Sequence, residues 1–472
     1  MKKILLSGLF VIGALTFNNL WAHSTAPSPP TPIELKDLKE IPPEKLIDKI
    51  YNVAEKRFVT FDEMMAEAIK SNIIYVGETH DNVLHHQIQE KVLRTVYDRN
   101  GKTRKIALAM EMFQRPYQTF MDDYIAGRIS EPEMLRKTEY YTRWVFDWSM
   151  YQPMVNLARA QGLKVIAMNA PREITKKVTK TGLKSLTEEE RKLLPEKIDT
   201  TNKNHRDYVY ERFKPHITMG MFTEKSFDNF YESQCLWEDT MADSVASFFR
   251  TLGQVAPLGR HGASAPDAAA RQEVVVVGGG HIIYRFGIPE RAKWRTQMNY
   301  TSILCVEVAE KTGQDTPPGN SGLLELLEGY NNNHTQPIKD GLVQPPVGAG
   351  HGPADYLCFT KILKIDETRP LMGVQLSEPK ADTKGLTIVE AVAGGPAAKA
   401  GLQKDDVIIM VDNQPISDMV DLKCALVNKK AGDKVEITVQ RSRNEVPIIS
   451  GRGKETKKVT LVLEIQKAKE AK

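Results

Sequence analysis

Short apolar runs alternate with four-residue periodicities over the first two thirds of the chain, which predicts β/α units around a doubly wound, mostly parallel sheet. The runs at residues 73–76, 106–110, 165–168, 274–277 and 303–308 are short and apolar, with Glu307 the one charge among them, as strands covered on both faces are. After the first run, Leu84, Ile88, Val92 and Val96 recur every four residues between charges, the pattern of an amphipathic helix. Met150, Met154, Leu157 and Ala158 repeat it ahead of Gly162, which is placed to cap that helix before the third strand. Thr187 and Glu190 are spaced as a capping box opening a Lys- and Glu-rich helical insertion, and Val435 to Val439 alternates as a solvent-facing strand does.

Breaks in the pattern divide the chain. Residues 24–33 are rich in Pro and Ser and predict an extended tether, residues 257–271 an exposed loop, and residues 316–355 a linker of Gly, Pro and Asn around a short helical piece at 323–327. The expected partition is a signal segment at 1–22, a tether at 23–34, an α/β domain at 35–312, a linker at 313–355, a β-rich domain at 356–466 and a charged tail at 467–472. Lys2 and Lys3 precede an apolar stretch at 4–17 that is shorter than the roughly 20 residues a membrane span needs, so a secretory signal cleaved near Ala22 is expected, with an uncleaved anchor as the alternative. The mature chain would then be exported, periplasmic or envelope-associated, without a transmembrane span. No Cys near the boundary supports a lipid anchor.

Without Lys2 and Lys3, 62 basic residues face 60 acidic ones, which leaves no electrostatic case for nucleic acid or an anionic membrane. Cys235, Cys305, Cys358 and Cys424 are far apart and form no CxxC, so a zinc knuckle, a dithiol redox pair and a covalent haem attachment are excluded. Buried single thiols are favoured over disulfides.

The candidate chemistry lies just after the strands. The first runs into Gly77-Glu78-Thr79-His80 and the fourth into Gly278-Gly279-Gly280-His281, while Glu111 follows the second and Asn169 the third, with Arg172 close behind. Parallel strands end on one edge, where open sheets bind ligands, and glycine there lets the backbone turn sharply beside a ligand. His80, His281 and one of Glu78 or Glu111 would supply the three ligands a hydrolytic divalent metal ion needs. A single GxxH is most often a turn with a satisfied His, Glu111 alone could cap a helix and Asn169 alone could hold a turn; the repetition of GxxH after two apolar strands carries the functional reading.

The segments IIYVGETHDNVLHHQIQ, ALAMEMF, YQPMVNLARAQGLKVIAMNAPRE, QCLWEDTMADSV and GGGHIIYRFGIPERA span about residues 50–308 and resemble the ChaN-like proteins, relatives of the Tiki and erythromycin-esterase-like groups. The resemblance implies haem binding in bacterial iron acquisition with a tyrosine on the iron, and a metal-dependent hydrolytic ancestry based on paired GxxH motifs and a Glu. The founding ChaN proteins look like lipoproteins, whereas this chain lacks the lipidated Cys. Tyr75, Tyr151 and Tyr284, with Asn169 and Arg172, are the candidate haem-site residues by proximity to the matched segments, along with Tyr140, Tyr141, Trp144, Trp148 and Arg143. A core-edge tyrosine with a bonded hydroxyl is the plainer reading of each. His85 and His86 read as solvent-exposed, and His205 and His216 bracket a basic, aromatic segment that lines a lid or coats a surface.

From about residue 356 the character changes. Pro370-Leu371-Met372-Gly373-Val374, then Gly395-Pro396-Ala397-Ala398 ending at Gly401-Leu402, then Asp405-Asp406-Val407-Ile408 resemble a PDZ domain. The resemblance implies a peptide site made by Leu371, Met372, Gly373 and Val374, where loop amides meet a C-terminal carboxylate and the strand pairs with the ligand. Leu422 and Leu426 are groove candidates, with core packing as the equal alternative. The leading expectation is an exported haem-binding protein whose PDZ domain engages a peptide or a protein C-terminus. The alternatives are a Tiki-like metal-dependent hydrolase and a non-catalytic envelope scaffold, with a homodimer left open.

Overall fold

The computed structural model describes residues 32–220, 222–250, 267–309, 352–365, 369–378, 384–442 and 454–465. The expected signal segment, most of the tether, most of the linker with its helical piece, and the charged tail lie outside the described residues. An eight-stranded sheet contains β1 (Ile50–Asn52), β2 (Arg57–Val59), β3 (Ile73–Glu78), β4 (Lys105–Gln114), β5 (Lys164–Asn169), β6 (Arg271–Gly278), β7 (Tyr300–Val308) and β8 (Tyr356–Lys361). Their order is β2-β1-β8-β7-β3-β6-β4-β5. Strands β3 to β8 run parallel, and the short β1 and β2 close one edge antiparallel.

The five expected strands are thus β3 to β7. Every residue of β3 is buried, because the sheet is covered on both faces. Tyr75, Ala109, Val275 and Val277 face one core, built with the helices Phe227–Ser247 and Ile288–Thr296. Ile74, Val76, Met110 and Val276 face the other, built with the helices Val83–Asn100 and Gln152–Gln161. Gly162 caps the latter helix at φ 63°, and Thr187 with Glu190 forms a capping box at the helix Glu188–Lys192. The four cysteines are unpaired.

Strand β8 departs from the expected partition, which assigns residue 356 onward to the second domain. It lies instead in the first sheet, parallel to β7 with Leu304 opposite Leu357 and Val306 opposite Phe359, and antiparallel to β1. The reason is its apolarity on both sides: Leu357 and Phe359 fill one core, Tyr356 and Cys358 the other. Only a doubly covered position buries both sets. Phe359→Ala should therefore destabilise the first domain by about 3–5 kcal/mol. In urea unfolding, a shift confined to the PDZ transition would contradict this placement.

The second domain holds β9 (Pro370–Leu371), β10 (Val374–Ser377), β11 (Leu386–Ala391), β12 (Val407–Val411), β13 (Gln414–Pro415), β14 (Lys434–Ser442), β15 (Lys454–Val462) and β16 (Glu464–Ile465), with the helices Pro396–Lys399 and Met419–Leu426. The sheet is antiparallel, and β16 pairs β9 beside the loop that ends at Gly373. Gly373 has φ +72°, a region that favours glycine, and a Cβ there would stand 2.9 Å from Pro396 Cδ.

Candidate functional site

The parallel register brings the two GxxH motifs together. Gly77 lies opposite Val277 and Glu78 opposite Gly278, so both chains leave the sheet side by side on its carboxyl edge. A Cβ at Gly278 would lie 2.9 Å from His80 Cε1, 3.2 Å from His80 Nε2 and 3.4 Å from Glu111 Oε2. The absent side chain is what lets His80 settle over β6 toward Glu111.

Two charge clusters flank this point. On the side of the Val83–Asn100 helix, Glu78 is buried and its Oε1 accepts from His80 Nδ1 at 2.7 Å and from the Tyr151 hydroxyl at 3.4 Å. His86 Nδ1 stands 2.8 Å from Glu78 Oε2, and its Nε2 donates to the His80 carbonyl at 3.1 Å. On the other side, Glu111 Oε2 accepts from the Gly278 amide at 2.7 Å, and Glu111 Oε1 lies 3.5 Å from His281 Nε2. His281 Nδ1 is 3.3 Å from Glu238 Oε1, whose other oxygen is 3.1 Å from His205 Nε2. Gln234 Nε2 donates to Glu238 Oε1 at 2.8 Å. Asn169 donates to the Glu111 carbonyl at 2.8 Å and accepts from the Trp237 indole, so it holds the end of β4 in place.

Burial alone would raise the pKa of Glu78, but the His86 and His80 imidazoles outweigh it and bring it down to about 2. Burial likewise opposes ionisation of Glu111, and His281 holds it below the usual carboxylate range. For His281 burial works downward, and Glu111 with Glu238 carries it up to about 10. His80 is also raised, because Glu78 and Glu111 outweigh its burial.

The signs fix a stability window. The Glu78 contribution is complete above its ordinary value of 4.5 and is lost as pH falls toward about 2. The His281 contribution is complete below 6.5 and is lost as pH rises through about 10. The melting temperature should therefore be highest between these ordinary values, and His281→Gln should flatten its alkaline fall. An alkaline limb unchanged in that variant would count against the His281 ion pairs.

The structure thus brings together Glu78, His80, Glu111, His281, Asn169 and Tyr151. Trp144 joins them against the His80 ring, whereas Tyr75, Tyr284 and Arg172 lie apart. Tyr75 is buried on the opposite face of β3, its ring edge-on to Tyr300. Tyr284 packs with Tyr208 and Phe286, and Arg172 is exposed, donating to the Thr142 carbonyl at 2.6 Å. His85 and His86 are buried rather than exposed: His85 Nδ1 accepts from the Thr79 amide at 2.8 Å, and His86 contacts Glu78. His205 is likewise buried, against Glu238, while the side chain of His216 lies outside the described residues. Glu238 and Trp237 went unmarked in the sequence. Glu238 shares the stripe of Met241, Ala242 and Val245, and a carboxylate on such a stripe is the signal.

Residues 64–292 match the family described as haem-binding uptake, Tiki superfamily, ChaN, and residues 370–461 match the PDZ domain. The chain carries a ChaN domain followed by a PDZ domain. A solved structure of cofacial haem binding to ChaN of Campylobacter jejuni is 15% identical, over 66% of this chain and 95% of that one, at a TM-score of 0.44. Among curated proteins, RETICULATA-RELATED 5 of Arabidopsis thaliana is 29% identical over 26% of this chain and 17% of its own length. Serine protease PepD of Mycobacterium tuberculosis is 45% identical over 15% of each chain. The chain therefore spans less than a fifth of these curated relatives.

The ChaN domain offers a haem group several parts. His80 is the site imidazole that opens outward, its side chain 31% exposed, with Nδ1 tied to Glu78 and Nε2 in no hydrogen bond among the described residues. Trp144 and Phe146 lie against its ring at 4.8 and 5.0 Å between centroids. A divalent metal fits less well. Among the described residues no three His, Cys, Asp or Glu side chains are spaced to hold one, since each carboxylate is drawn to an imidazole.

Proposed function

We propose that the ChaN domain binds haem at the His80 mouth and that the PDZ domain binds an extended peptide, in an exported protein that handles haem or iron. The carrying observation is the family match over residues 64–292, set beside an open imidazole with an aromatic wall. Bound there, haem would supply an iron centre, and His80 is the residue that would hold it. Glu78 fixes the His80 ring by accepting from Nδ1, which presents Nε2, and Trp144 and Phe146 offer the apolar contact a porphyrin needs. Tyr151 orients Glu78 rather than the ligand, since its hydroxyl is buried against that carboxylate. Export rests on residues 1–22, and among the described residues no helix is long and apolar enough to cross a membrane. Hemin added to the full chain should shift its Soret band and saturate at a defined stoichiometry; an unshifted band would end this reading.

A metal-dependent hydrolase is the second reading, favoured by the convergence of both imidazoles and both carboxylates around Gly278. Elemental analysis of the purified chain decides it. Metal content that is the same in the wild type, His80→Ala and His281→Ala would remove it.

A further inference from the structure

The peptide groove of the PDZ domain is not bounded by that domain alone. A cavity of 1360 Å³ runs between β10 and the Met419–Leu426 helix, and Tyr141, Asp147 and Ser149 of the ChaN domain line it beside Leu371, Leu422 and Leu426. Leu422 and Leu426 thus have both expected uses: Leu422 is buried in the PDZ core and both line the groove. The two domains are fastened around this cavity. Arg136 Nε donates to Asp418 Oδ2 at 2.6 Å, Nη2 donates to Asp418 Oδ1 at 3.0 Å, and the same guanidinium pairs with Asp421. Arg369 reaches Asp147 at 3.3 Å, and Lys423 Nζ sits 3.8 Å above the Tyr141 ring.

The charges in the groove are unevenly matched. Lys399 pairs with Glu464 at 2.7 Å, Lys429 with Asp412 at 2.5 Å and Arg369 with Asp147 at 3.3 Å. Asp147 is further occupied by the Ser149 amide at 2.9 Å and the Ser149 hydroxyl at 2.7 Å. Lys423 is half-buried and lies within ion-pair distance of no carboxylate among the described residues; its one close partner is the face of Tyr141. An ammonium has three N–H donors, so the face of one ring leaves it able to meet an anion. Burial lowers its pKa, against which Asp147 acts in part.

We propose that the peptide site is a three-walled groove completed by the ChaN domain's Tyr141, and that it selects peptides with acidic side chains, read by Lys423 on the Tyr141 ring. The proposal rests on peptide binding by the PDZ domain and adds a partner chemistry and a wall from the other domain. The third wall belongs to the segment that also carries Trp144 and Phe146 onto His80.

The test uses the full chain and two fluorescein-labelled probes with free C-termini, Ala-Glu-Glu-Glu-Val and Ala-Gln-Gln-Gln-Val, followed by anisotropy. The acidic probe should bind about fivefold tighter, the scale of a partly exposed ion pair. Lys423→Met should reduce that preference to below about twofold, and Lys423→Arg should keep it. Tyr141→Ala, a change outside the PDZ domain, should weaken the acidic probe by about fivefold, with Tyr141→Phe close to wild type. Equal binding of the two probes, or an unchanged Tyr141→Ala, overturns the proposal. Binding of neither probe overturns the peptide reading beneath it as well.

Discussion

Glu78→Ala should lower the unfolding free energy by about 3–5 kcal/mol, the cost of breaking a buried ion pair from one side. Glu78 is the common acceptor of His80 Nδ1, the Tyr151 hydroxyl and the close approach of His86, and it lies within the sheet where water cannot replace it. Its removal leaves a buried imidazole facing a void lined by Tyr151. Denaturant unfolding measures the loss, and Glu78→Gln, which keeps the volume and one acceptor, should lose less. A change below about 1 kcal/mol for the alanine variant would mean that the cluster is not a buried ion pair at all.

Gly278→Ala should act on the site rather than on the backbone. Gly278 has φ −56° and ψ 135°, which alanine adopts freely, so no conformational penalty attaches to the change. The new methyl would stand 2.9 Å from His80 Cε1, a distance that forces movement. His80 has little room to yield sideways, since Glu78 holds Nδ1 and Trp144 and Phe146 pack against its ring. The expected result is a modest stability loss of about 1–3 kcal/mol and a hemin affinity reduced by about tenfold or more. Wild-type hemin affinity in this variant would place the ligand away from Gly278.

The features of this site are legible in the chain to different degrees. The paired GxxH motifs could be read because glycine directly after a buried strand has few other uses, and a parallel sheet then forces both motifs to one edge. Strand β8 could not, because a long segment of Gly, Pro and Asn separates it from β7 and its run adjoins the PDZ pattern. His85 and His86 are buried where the sequence suggests exposure, because an imidazole carries no sign of its own burial. Their register was informative: His85, Gln89, Val92 and Val96 share one face, and that face is the buried one. The apolar stripe drawn through Leu84 and Ile88 is only half-buried, since the helix turns polar side chains inward where it meets Glu78. Tyr75 had the right position in sequence and the wrong side of the strand, a distinction that a period of two settles once Glu78 is assigned to the other face.

The central claim is that His80, held by Glu78 and walled by Trp144 and Phe146, is the group that meets haem. Parallel Soret titrations of the wild type and His80→Ala with hemin test it most directly. The wild type should saturate, and His80→Ala should lose the shifted band or bind at least about tenfold more weakly while keeping its fold by circular dichroism. Saturation of both proteins at the same hemin concentration with the same spectrum would contradict the claim.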